Sequence, residues 1–472
     1  MARQTSRVGE FAGGVTSSFT VPPLRSTFRE SGQNMDSGSP APASEAPPAT
    51  ETCHNGERCH NGEPCQSGEP RHIGLDALRG LMMMLGIVLH ASMLYMQTPP
   101  PAAPFPTDRN NAYAFDLIFD FIHAFRMPAF FVLAGFFTAL LVAKRGLRGA
   151  WRNRVSRILL PLIASLVLIL PVTGLLMLSF FAGARFGTHD LIPDLGALQT
   201  LGAEIAAKTG QDPARPALGH LWFLYYLCMF YALIPACLWL TQRSERHSQA
   251  ITRPLRSPQS FALCFLVLTF WTAATLWPFK GGQVHEGFVY FTPHLPSLVY
   301  YGSFFVSGFL FHTQREFLQA ARQRLPFMLV LAGIAFPVSV FLSALDHAAR
   351  GASLELHVYS VLTNALATWA LICLFIGGAL RYFDRPSAWI DYTAQSSYWV
   401  FLVHMPLVCL AGWWLLPYDL PAVLKFVLVC AFTALCAFVT FHYWVQQTWI
   451  SDFLHGRRFK LAWPWLAAAR RQ

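Results

Sequence analysis

The chain has 472 residues, 54% of them hydrophobic and only 13% charged, with a formal net charge of +10. An average soluble domain carries roughly 25% charged residues, so the balance excludes an ordinary soluble fold and points to a polytopic helical membrane protein. The positive charge needs no nucleic-acid partner, because topology and attraction to anionic membrane lipids account for it.

Residues 1–70 form a separate physical class. Pro, Ser, Gly, Ala, Glu and Thr dominate and aliphatics are few, which predicts a disordered cytoplasmic tail. No apolar stretch of seven to fifteen residues follows a basic start, so a cleavable signal peptide is not expected. A hexapeptide recurs within the tail, beginning at Cys53, Cys59 and Cys65, with His54 and His60 in its first two copies. Those side chains can hold a soft metal, but the spacing matches no standard zinc pattern and reads as a drifted repeat. No metal is expected. The other seven cysteines fall within apolar segments, where Cys behaves as a small hydrophobe, and no disulfide framework follows.

From residue 71 to about 450 the chain reads as one membrane domain, followed by a basic cytoplasmic tail over 451–472. Apolar runs predict ten helices, at 74–96, 115–143, 155–182, 218–240, 259–279, 297–312, 326–345, 357–380, 395–415 and 421–446. The fold class is therefore all-α, a transmembrane bundle of about ten helices. Lys and Arg concentrate in alternate links, beginning with Lys144, Arg145, Arg148, Arg152, Arg154 and Arg157, and the intervening loops are nearly bare. This alternation predicts cytoplasmic termini.

The first predicted span carries Arg79 and His90, eleven positions apart. At 3.6 residues per turn they return to within roughly 20° of one face, about 16 Å apart along the axis. One groove thus meets a fixed cation near the inner side and a titratable ring in the outer half. Arg79 lies shallow enough to snorkel, whereas a charge or imidazole deeper in hydrocarbon is costly and marks function. In the second span, His123 and Arg126 stand three residues apart and are expected to share a face at the depth of His90. Ala134 and Gly135 in the same span permit a close helix crossing. Arg154 and Arg157, one turn apart at the inner end of the third span, satisfy the positive-inside rule and also suit a phosphate clamp. His220 opens the fourth span at the outer surface, with Trp222 beside it, and His404 sits in the middle of the ninth. A cluster of His and Arg at depth implies a polar cavity.

These stretches resemble the acyltransferase 3 family of membrane acyltransferases. The likeness is carried by Gly74-Leu75-Asp76-Ala77-Leu78-Arg79-Gly80 with its distant His90, by His123-Ala124-Phe125-Arg126-Met127 with the Phe130–Phe137 run, by Arg154-Val155-Ser156-Arg157, by His220-Leu221-Trp222-Phe223-Leu224, and by Ser396 to His404. The chain departs from the family where Ser-Gly is usual, having Ala134-Gly135, which argues against hydroxyl chemistry at 134.

The resemblance implies transfer of a succinyl or acetyl group from cytoplasmic acyl-CoA to a hydroxyl of an exported glycan, a periplasmic glucan above all, in the bacterial inner membrane. Arg79, Arg154 and Arg157 would hold the donor phosphates. His90 would be the general base, with His123 or Arg126 orienting it or stabilising an oxyanion. A covalent acyl-histidine is an alternative to direct transfer. His220, Trp222 and His404 would line the substrate pathway. Three rival functions stand beside this one: a transporter or flippase, an O-acetyltransferase of another envelope acceptor, and a receptor or purely structural membrane protein, which leaves the Arg79 and His90 pair unexplained. Two matching broken helices, expected of many transporters, are not found in the sequence.

Overall fold

The computed structural model describes residues 73–100, 105–210, 215, 217–240, 258–284, 289–349 and 352–459. The disordered tail and hexapeptide repeat expected over 1–70 lie outside the described residues, as does the end of the basic tail.

Helices dominate what is described, and the pairing of Ala217 with Tyr290 is an isolated bridge. In chain order the helices are α1 Ile73–Met93, α2 Tyr113–Arg154, α3 Leu160–Phe186, α4 Leu195–Thr209 and α5 Trp222–Tyr231. They continue as α6 Ile234–Leu240, α7 Pro258–Leu276, α8 Leu295–Thr313, α9 Arg315–Gln323 and α10 Leu325–Ala348. The last four are α11 Leu354–Tyr382, α12 Ala388–Leu415, α13 Ala422–Thr440 and α14 Trp449–His455. Seven helical segments among the described residues are long and apolar enough to cross a membrane, or eight if α5 and α6, bent by 55°, make one broken span. One of the seven, Tyr113–Phe186, is 74 residues long. At 1.5 Å per residue it measures about 110 Å, far more than the ~30 Å of a bilayer core.

The reason lies at Gly146, whose φ of 67° and ψ of 174° break α2 well before its end. The basic segment expected as a link is itself helical on both sides of the break, and Lys144, Arg145, Arg148 and Arg152 are exposed along it. A five-residue π-helical turn, Val155–Leu159, then leads into α3.

The bundle is built on a few extensive pairings, α1 on α12, α2 on α8, α10 on α11, and α12 on α13 and α3. Its interior is aromatic: Phe125 stacks on Phe375 at 4.3 Å, and Phe131 meets Phe223, Phe230 and Tyr301 at about 5 Å. Val167, Leu168, Leu263, Phe341 and Leu435 point outward instead, each more than 60% exposed. Apolar surface on that scale suits a hydrocarbon solvent.

Two polar ties fix the end of the bundle that is poor in Lys and Arg. Lys425 and Asp108, both without solvent exposure, pair at 2.7 Å and join the α1–α2 loop to the start of α13. Asp346 accepts from the Gly281 amide at 2.9 Å and meets His357 Nδ1 at 2.8 Å, which pins the α7–α8 loop across α10 and α11. A buried pair is costly to break, because removing either partner strands the other in a dry interior.

Candidate active site

Arg79 and His90 both face α12. The Arg79 guanidinium lies 3.5 Å from the Ala394 carbonyl, pairs with Asp76 at 3.3 Å and stands over the Phe137 ring. The His90 ring lies 5.2 Å from that of His404. Ala394 and His404 are ten residues apart on α12, almost the eleven that separate Arg79 from His90 on α1, so the two helices run parallel and keep step. The shared face inferred from helical periodicity is the face that packs on α12.

Around His90 the fold gathers more than the spacing predicts. His220 approaches His404 with ring centroids 5.4 Å apart, which brings three imidazoles from α1, α12 and the turn before α5 together. His220 is only 7% exposed, so its expected position at the outer surface is corrected: the 3₁₀ turn Gly219–Leu221 folds it inward against α12. His404 Nδ1 lies 2.7 Å from the Phe401 carbonyl and 3.1 Å from that of Val400, and His220 Nε2 lies 3.1 Å from the Leu402 carbonyl. A carbonyl only accepts, so these nitrogens carry the protons and the opposite ones keep their lone pairs. Those opposite atoms, His404 Nε2 and His220 Nδ1, meet no hydrogen-bond partner among the described residues, and neither does His90 Nδ1. His90 is the half-buried ring of the three, the other two being buried behind it.

Arg126 enters this neighbourhood from α2. It is 4% exposed, donates through Nε to the Met82 carbonyl at 2.9 Å and lies over the Phe130 ring. Gly86 makes the approach possible, since a Cβ there would stand 2.4 Å from an Arg126 terminal nitrogen. His123 diverges from it despite the three-residue spacing. Its Nε2 bonds the Val284 carbonyl at 2.5 Å and its ring stacks on Phe119, so the single face expected for the pair is corrected. Residues three apart on a helix sit about 60° apart, enough for neighbours on two sides to divide them.

The three arginines at the Lys/Arg-rich end are also apportioned. Arg154 donates to Thr138 at 2.9 Å and stands over Tyr231, next along α2 from the Phe137 ring that Arg79 covers. Arg157 is bound to carbonyls at the end of α14, those of Asp452 and, at 3.0 Å, Phe453. The short basic face expected of Arg154 and Arg157 is divided by the π-helical turn. His455, the last residue of α14, lies among Arg79, Arg157 and Arg457; burial first, and then these cations, push its imidazole down to about 4 against a raising contribution from the Gln395 backbone. Trp222 stacks obliquely on Tyr301 at 5.2 Å, to one side of the imidazole cluster.

Sequence reasoning missed several polar residues that the fold gathers beside His123. Asp120, Gln283, Asn364 and Thr368 line a cavity of about 30 Å³ together with His123 and Tyr300. Asp120, an acid within the apolar run Leu117 to Phe125, was the signal available. No group of three or more His, Cys, Asp or Glu side chains with metal-binding geometry occurs among the described residues.

The bundle with these groups at its centre is that of a multi-pass membrane protein with imidazoles gathered in its interior. The family model described as an acyltransferase domain, that of the acyltransferase 3 family, matches residues 72–442. The chain belongs to this family and is an acyltransferase. It is similar to glucans biosynthesis protein C of Escherichia coli O1:K1, with 25% identity over 355 residues that cover 73% of this chain and 84% of that protein. The protein of the same name from Escherichia coli strain K12 is 24% identical over the same shares. No solved structure matches the chain.

Proposed function

We propose that this acyltransferase moves a succinyl or acetyl group from cytoplasmic acyl-CoA to a hydroxyl of an exported glycan, a periplasmic glucan, across a bacterial inner membrane. The observation that carries the reading is the pairing of Arg79 and His90 with one helix, α12, at two depths. In this reading the chain makes ten passes with both termini in the cytoplasm. The length of Tyr113–Phe186 and the break within it support two crossings there, and the 19-residue α8 supplies another.

Donor phosphates bind at the Lys/Arg-rich end, where Arg79 and Arg154 meet neighbouring residues of α2, while Arg157 acts by holding α14 in place. The pantetheine arm runs up the α1–α12 groove towards His90. A glycan hydroxyl gives its proton to His90 as its oxygen attacks the thioester carbonyl, and the tetrahedral intermediate then releases the CoA thiolate, which recovers that proton. In this reading the unpartnered His404 Nε2 steadies the imidazolium from the neighbouring ring, and the Arg126 guanidinium serves the oxyanion. The name of the Escherichia coli relatives supports a glucan acceptor.

The test is His90→Ala in the full-length protein reconstituted in vesicles. Acyl transfer falls by about 10²- to 10⁴-fold while acyl-CoA binding persists. Retained transfer, or loss of the folded protein in place of loss of activity, removes the reading. Mass spectrometry of exported glycans from cells with and without the protein then identifies the acyl group and the acceptor.

A further inference from the structure

The cavity beside His123 lies at the Lys/Arg-poor end, between α2, α8, α11 and the loop after α7. Among the described residues, the Asp120 carboxylate has no hydrogen bond or ion pair, and its charged neighbour is another acid, Asp116, one turn away. Asp116 is already occupied, accepting from the amides of Gln97 and Thr98 at 2.9 and 2.8 Å. An uncompensated carboxylate in an apolar helix is costly to keep, and nothing in the packing requires Asp120 to be acidic.

The opposite wall is ordered by hydrogen bonds. Asn364 donates to Ser343 at 2.7 Å and to the Ser360 carbonyl at 2.9 Å, its side-chain oxygen accepts from Gln283 Nε2 at 3.3 Å, and Thr368 donates to the Ala124 carbonyl at 3.0 Å. With its nitrogen so engaged, Gln283 has its carbonyl oxygen left to accept. The cavity therefore offers two acceptors, Asp120 and Gln283, beside Tyr300, and no Lys or Arg lines it. That chemistry rejects anions and selects a ligand that brings O–H donors on an apolar frame. At about 30 Å³ the space takes a few water-sized groups, which suits a hydroxymethyl arm. His123 stands in the wall of the cavity, three residues before Arg126 on α2.

We propose that this cavity is an acceptor subsite, in which Asp120 and Gln283 receive a neutral pendant hydroxyl of the glycan and so hold a second hydroxyl of the same molecule towards His90. The inference rests on the acyl-transfer reading above. It adds the class of acceptor, a neutral polyol arm, and the residues that recognise it.

The experiment uses the full-length protein in vesicles, acyl-CoA, and a neutral glucan oligosaccharide with its set of singly deoxygenated analogues. Asp120→Ala raises the acceptor KM about tenfold and Gln283→Ala about threefold, with the acyl-CoA dissociation constant unmoved. One deoxy analogue raises the wild-type KM to a similar extent yet is no worse than its parent for Asp120→Ala. Gln283→Ala, a change in a loop side chain, reports if Asp120→Ala does not fold. An unchanged acceptor KM in the folded variants overturns the proposal, as does tighter binding of an aminosugar than of its hydroxyl parent. Absence of wild-type transfer to any glycan counts instead against the function itself, and oligosaccharide binding to wild type and Asp120→Ala then tests the subsite directly: equal affinity overturns it.

Discussion

Gly86 is the smallest residue at the site and one of the most constrained. The Arg126 guanidinium occupies the volume that a side chain would need, bonded to the helix backbone one turn earlier at Met82. Because the obstructed atom is the tip of a flexible side chain, Gly86→Ala displaces the guanidinium more than the helices. The expected result is a loss of acyl transfer of about tenfold to a hundredfold, from misplacing a charged donor, with a stability change under about 1 kcal/mol. Transfer rate and melting temperature of the same preparation check it, and full activity would show that Arg126 has no part in the reaction. His455 permits a pH prediction. Its imidazole titrates near 4 when folded against 6.5 for a free side chain, so the unfolded chain binds more protons between those values. Its contribution to stability is complete above about 6.5 and is lost as pH falls towards 4, by up to about 3 kcal/mol. Thermal melts across this range show a slope that His455→Gln reduces.

Among the helices, α2 and α8 cross tightly, and two glycines set the distance. A Cβ at Gly135 would lie 2.0 Å from the Phe305 carbonyl oxygen, and one at Gly308 would lie 1.9 Å from that of Val132. Both obstacles are backbone, so neither can yield without separating the helices. Gly308→Leu is expected to destabilise the protein by more than about 3 kcal/mol, read as a lower melting temperature in detergent and less folded protein. Gly333→Ala on α10 is the matched control, because nothing lies within 4 Å of its added carbon, and it leaves the melt unchanged or slightly higher.

For the whole molecule the question is which end faces out. The Lys/Arg-rich end holds Arg145, Arg148 and Arg152, and the opposite end holds α4. In a background with its ten cysteines replaced by Ser, Leu195→Cys is expected to react with a membrane-impermeant thiol reagent in intact cells. Trp151→Cys, exposed at the other end, reacts only after permeabilisation. The reverse pattern would invert the bundle and place the donor arginines on the wrong side.

The apolar runs, the alternation of basic links, the single face shared by Arg79 and His90 and the small residue at Gly135 that permits a close crossing are all local properties, and the residues alone are sufficient for them. The partners of His123 and His220 are not local: they bond carbonyls of Val284 and Leu402, 161 and 182 positions away. In hydrocarbon every apolar face is equally content with lipid, so periodicity says that a helix has a face without saying which neighbour meets it. Close packing makes that choice. It turned His220 inward, separated His123 from Arg126, gave Arg157 to α14, and opened the cavity at Asp120. The sequence by itself determined a membrane protein with a cation and an imidazole on one side of its first helix; only the tertiary structure decided which rings surround that imidazole, because that depends on side-chain shapes meeting across helices far apart in the chain.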